Sequence, residues 1–95
     1  HCLLIESDSG LILVDTGYDP GAAGEKSARA VLAKHGFALW TESRPEWSVE
    51  HQLAKVGTTA AEIDLVILTH CHFDHIGNNL AFPNARFVVQ RDELP

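Results

Sequence analysis

Two short apolar runs constrain the fold more than any other feature of this chain. Leu11-Ile12-Leu13-Val14 is apolar without alternation, the mark of a strand covered on both faces, and Ile63 to Leu68 repeats the pattern with Asp64 as its one charge. Each ends at polar residues that offer chemistry, Asp15-Thr16-Gly17 after the first and Thr69-His70-Cys71-His72-Phe73-Asp74-His75-Ile76-Gly77 after the second. Cys2 to Glu6 precedes the first run across Ser7-Asp8-Ser9-Gly10, a cluster of turn formers, so the two segments read as a β-hairpin. Arg86 to Gln90 supplies a last strand, with Asn84 as a turn residue before it.

Helices fill the interval. Glu25 to His35 places Ala28, Val31, Leu32 and His35 at helical spacing and stops at Gly36. Ser43-Arg44-Pro45-Glu46 matches a capping box with proline in the first turn. It predicts a second helix with Val49, Leu53 and Val56 on one face, ending at Gly57. Thr59-Ala60-Ala61-Glu62 repeats the capping pattern and starts one short turn. The order β, β, α, α, β, loop, β is an α/β pattern in which helices pack on a sheet.

Composition narrows the function classes. Thirteen acidic residues against seven basic ones give a net charge of −6 over 95 residues. The cations are scattered rather than gathered into a stripe, which argues against a nucleic-acid partner. No apolar run approaches a membrane span and no signal segment is present. Cys2 and Cys71 are too few for a disulfide framework and are read as reduced thiols, which places the protein in the cytoplasm. The chain has no methionine, opens inside an apolar run and stops without a closing signal, so it is expected to be an internal piece of a longer protein.

The cluster after the Ile63–Leu68 run carries the functional argument. Three histidines and an aspartate fall within six residues. His70 and His72, two apart, point the same way in extended backbone, and Asp74 and His75 lie beyond them where the chain turns towards Gly77. Four such polar groups at a strand end need a partner, and imidazole with carboxylate is a donor set that zinc, iron, manganese or cobalt accepts. Cys71 faces away from the histidines as a packed thiol. His35 and His51 read as surface residues, Trp40 and Trp47 as core or lid packing, and Gly21-Ala22-Ala23-Gly24 lacks a phosphate-loop pattern.

His70-Cys71-His72-Phe73-Asp74-His75 resembles the His-x-His-x-Asp-His motif of the metallo-β-lactamase fold superfamily, and Leu13-Val14-Asp15-Thr16-Gly17 resembles its upstream strand-to-loop element. The two-helix filler, the phenylalanine in the motif and Asn79-Leu80-Ala81-Phe82-Pro83-Asn84 look most like the N-acyl homoserine lactonases. Gly77-Asn78-Asn79 stands where those enzymes more usually carry a double glycine. The resemblance implies that residues 1–95 are the N-terminal portion of a single domain, incomplete at both ends, with part of an αββα sandwich.

It implies a hydrolase with two divalent metal ions, zinc first. His70 and His72 would bind one and Asp74 and His75 the other, and a metal-held hydroxide would open a small-molecule lactone or ester. Asp74 would also pass a proton to the leaving alkoxide. Asp15 would orient a metal-bound histidine from behind, its alternative being a loop-capping aspartate. After His75 the chain has no histidine and no tyrosine, and its one later aspartate is Asp92, so the remaining ligands and the lactonase tyrosine are expected outside it. Two other readings stand beside this one: a thioesterase of the glyoxalase II kind or another hydrolase of the superfamily, and a truncated, non-catalytic metal-binding fragment.

Overall fold

The computed structural model describes residues 1–19 and 44–95. The expected helix over 25–35, the glycine-rich 21–24 stretch, His35, Trp40 and Ser43 lie outside the described residues. Strands β1 (Leu3–Ser7) and β2 (Gly10–Val14) pair antiparallel as the expected hairpin, from Leu3 opposite Val14 to Ser7 opposite Gly10. The Ser7 hydroxyl closes the turn by donating to the Gly10 carbonyl at 2.9 Å. Gly10 has φ +134°, which a side chain would strain.

Strand β3 (Ile63–Leu68) runs parallel to β2, and β4 (Arg86–Val89) runs parallel to β3, in the sheet order β1-β2-β3-β4. Asp64 has a structural use. The β2–β3 register shifts between Leu11 and Ile12, and the Asp64 carboxylate accepts the Leu11 N–H at 2.9 Å. A side chain thereby satisfies a backbone donor where the ladder is irregular.

Between β2 and β3 runs helix α1, Val49–Lys55. It begins later than the capping-box pattern predicts. Pro45–Trp47 forms a separate 3₁₀ turn, after which Ser48 is extended (ψ 150°) and its side chain accepts the His51 N–H. Ser48 is therefore the true cap. The helix closes at Gly57 (φ +76°), with Thr58 N–H donating to Leu53 O and Gly57 N–H to Ala54 O, a Schellman arrangement. Val56 falls past the last helical residue and is 67% exposed, so it does not share the buried face of Val49 and Leu53. The Thr59 pattern yields a short 3₁₀ turn, Ala60–Glu62, but the Thr59 hydroxyl bonds the Glu62 carboxylate rather than a backbone N–H.

Leu13, Val49, Leu53, Ile63, Val66, Leu68 and Phe82 form one buried cluster. Each such side chain contributes about 1.5–3 kcal/mol through burial. Of the β2 run only Leu13 is fully buried; Leu11, Ile12 and Val14 are half-buried, so the full cover expected on both faces is absent among the described residues. No helix among the described residues is long and apolar enough to cross a membrane. Because β2, β3 and β4 are mutually parallel, their C-terminal ends lie along one edge of the sheet. Asp15-Thr16-Gly17, the histidine segment and residues 90–93 all leave from that edge, where open α/β sheets commonly bind ligands.

Candidate metal centre

Asp15 sits just past β2 with φ +62°, a conformation that aspartate tolerates better than most residues. Its N–H continues the ladder to Ile67 O at 2.8 Å, and its carboxylate is buried. Oδ1 accepts the Thr69 N–H at 2.8 Å; Oδ2 lies 2.8 Å from the Thr69 hydroxyl and 2.8 Å from His75 Nδ1. Burial alone would push the Asp15 carboxyl up. The Thr69 N–H, the His75 ring and the Thr69 hydroxyl outweigh it and hold the group below the ordinary carboxylate value.

An ionised Asp15 only accepts, and this assigns the protons around it. His75 must donate from Nδ1. The Thr69 hydroxyl must give its single proton to Asp15, so it accepts from His70 Nδ1, 2.9 Å away. In the neutral imidazoles this tautomer leaves Nε2 bare on both histidines. Asp15 thus sets the tautomer of His75 directly and that of His70 through Thr69. Sequence reasoning finds Asp15 but misses Thr69, because a threonine beside a histidine carries no spacing signal.

A one-turn helix, α2 (Phe73–Ile76), folds the cluster back on itself. It is stitched to the loop after β2. Thr16 N–H donates to His75 O and Gly77 N–H to Gly17 O, each at 2.8 Å. The buried Thr16 hydroxyl reaches Asn79 Oδ1, and the Asn78 amide donates to the carbonyls of Thr16 and Tyr18. Asn78 therefore has a structural use at the position where the lactonase pattern has glycine.

The fold brings His70, Asp74 and His75 together, with ligand atoms all within 4.8 Å of one another. His75 Nε2 lies 3.5 Å from Asp74 Oδ2. Donors around a tetrahedral ion stand about 3.5 Å apart, so this set fits a zinc-like cation with a small closure. The His72 ring is exposed and stands edge-on to His70, 4.6 Å between centroids, outside that three-residue group. His70 and His72 are neighbours, as their spacing predicts, while the tightest grouping joins His70 to Asp74 and His75.

The other candidates separate cleanly. Cys2 and Cys71 are free thiols, and Cys71 is not among the grouped donors. His51 is exposed and bonded to Ser48. Trp47 is 53% exposed with the Arg44 guanidinium 5.5 Å over its ring, so of the expected core or lid packing the core placement is excluded. Trp47 lines a cavity of about 460 Å³ together with Cys2, Gly17, Tyr18, Gln52 and Asp74. The Tyr18 hydroxyl is buried and has no hydrogen-bond partner among the described residues. It is the chain's single tyrosine, and nothing in the sequence flagged it.

The profile of the metallo-beta-lactamase superfamily matches residues 1–91. The chain belongs to the metallo-beta-lactamase superfamily. Among curated relatives, a probable metallo-hydrolase of Mycobacterium tuberculosis is 36% identical over 99 residues, covering 98% of this chain and 29% of its own length. An N-acyl homoserine lactonase of Bacillus thuringiensis is 35% identical over 92 residues, covering 97% of this chain and 36% of its own. Among solved structures, an N-acyl homoserine lactone hydrolase with the product N-hexanoyl-L-homoserine at its catalytic metal centre superposes with a TM-score of 0.72 at 31% identity, covering 97% of this chain and 36% of that one. The chain thus spans about a third of the length of these relatives. The mixed sheet and its flanking helices are part of the metallo-β-lactamase fold, and the relatives are hydrolases.

Proposed function

We propose that the intact protein is a metal-dependent hydrolase that opens the lactone ring of N-acyl homoserine lactones, with residues 1–95 forming the N-terminal portion of a single domain. The observation that carries this reading is the His70–Asp74–His75 group with both histidine tautomers set from Asp15. The 35% identity to a lactonase favours the lactone as substrate.

In this reading His70 and His72 hold one divalent ion and Asp74 and His75 the other, zinc being the best match to imidazole and carboxylate donors. Such ions, when bound, polarise a carbonyl and lower the pKa of water. Asp15 keeps the His75 ring oriented and its Nε2 bare. Asp74 is half-exposed on the cavity wall, where its carboxylate would take a proton from the attacking water and pass it to the leaving alkoxide oxygen. Ligands beyond these four come from outside residues 1–95.

The 36% identity to a relative named only as a metallo-hydrolase favours a second reading, a hydrolase of another ester such as a glutathione thioester. One assay separates the two. The intact protein loaded with zinc should open N-hexanoyl homoserine lactone, lose that activity to a chelator and regain it with zinc. His72→Ala should lose metal and activity together. Turnover of a glutathione thioester without lactone opening would overturn the substrate, and zinc retained by His72→Ala would overturn the ligand assignment.

A further inference from the structure

Four residues, Thr69 to His72, link β3 to α2 and lie in neither element. They carry two of the proposed ligands, so whatever fixes their backbone fixes the spacing between His70 and His72. Two backbone donors in this link are held by carboxylates from distant parts of the chain. The Thr69 N–H goes to Asp15, just past β2. The Cys71 N–H, between the two histidines, goes to Glu93 Oε2 at 2.9 Å. Glu93 lies in a 3₁₀ turn, Arg91–Glu93, that follows β4 and is closed by Glu93 N–H to Gln90 O.

The sheet order explains the symmetry. Strands β2 and β4 flank β3 on its two sides, and all three are parallel, so each neighbour sends one carboxylate to the same extension of β3. A carboxylate on a backbone N–H is a charge-assisted bond, roughly twice as strong as a neutral one. Glu93 is exposed, so burial does not account for its place.

We infer that Glu93 is a positioning residue for the metal-binding segment, its carboxylate pinning the Cys71 N–H and so setting the distance between His70 and His72. The inference rests on the proposed metal site, and the link to substrate is through the histidines alone. Zinc affinity of the intact protein, read by competition with a chelating dye, should fall about ten-fold in Glu93→Ala, the size typical for partners that orient ligands. It should stay at the wild-type level in Glu93→Gln, whose amide oxygen still accepts. Amide hydrogen exchange on the metal-free protein should show Cys71 exchanging faster in Glu93→Ala and not in Glu93→Gln. Wild-type zinc affinity and Cys71 protection in Glu93→Ala would overturn the inference, as would a Glu93→Gln loss equal to that of alanine. If the wild-type protein bound no zinc, the metal reading would fail, and Cys71 exchange would still decide whether Glu93 pins this backbone.

Discussion

Replacing Asp15 by asparagine keeps the shape of the side chain and inverts half of its chemistry. The amide oxygen can still accept the Thr69 N–H now held at 2.8 Å. The amide nitrogen then faces His75 Nδ1, also 2.8 Å away, and it can only donate. His75 must answer with a bare Nδ1, which moves its proton to Nε2, the nitrogen turned towards Asp74. A cation at that site has to displace the proton and lacks the charge behind the ring, so zinc affinity should fall 10- to 100-fold, or about 1.4–2.8 kcal/mol.

Stability falls by a comparable amount. The Thr69 N–H bond becomes neutral, and the Thr69 hydroxyl and the His75 ring both lose their acceptor at Oδ2, about 2–3 kcal/mol in total. The backbone adds little, since asparagine also tolerates φ +62°. Dye competition measures the affinity, urea unfolding of the metal-free protein measures the stability, and ¹⁵N shifts of His75 report its tautomer. Wild-type zinc affinity in Asp15→Asn, with His75 still protonated at Nδ1, would refute the account of the site.

Other expectations follow from the same geometry. The folded Asp15 carboxyl is held below its unfolded value of about 3.9, so its contribution to stability is complete above that pH and is lost as pH falls through the lower folded value; acid unfolding of the metal-free protein should show this slope and Asp15→Asn should lack it. Thr69→Val removes the hydroxyl between Asp15 and His70, so zinc affinity should drop about ten-fold while Thr69→Ser restores it; equal affinity in the valine variant would count against the relay. Gly77→Ala would place its Cβ 2.6 Å from Asp19 N and 2.9 Å from Gly17 O, backbone atoms with little room to give, so urea unfolding should register a loss of about 1–3 kcal/mol. Tyr18→Phe deletes a buried hydroxyl that has no partner among the described residues, so urea unfolding should show stability held or raised; a loss above about 1 kcal/mol would mean that the hydroxyl is bonded.

Much of the architecture was legible because the apolar runs are short, dense and bounded by turn formers. The hairpin across Ser7–Gly10, β3 and β4 follow from that pattern, and Gly57 marks the helix end because its φ of +76° suits glycine. The start of α1 was not legible. Ser43-Arg44-Pro45-Glu46 has the better capping pattern, yet the extended backbone at Ser48 gives that residue the cap. The proposed metal ligands stand out in the sequence by type, but their grouping depends on the turn of α2, which carries Asp74 and His75 back towards His70. Thr69, Tyr18 and Glu93 gave no signal. Their roles arise from strand register across 22 to 60 residues of sequence, as in Cys71 to Glu93 and His75 to Asp15.

The most direct test of the metal centre is anomalous diffraction at the zinc edge from crystals of the intact protein grown with zinc. The account predicts peaks about 2.0–2.2 Å from ligand atoms of His70, His72, Asp74 and His75. A map with no peak at this cluster, or with zinc bound only elsewhere, would contradict it.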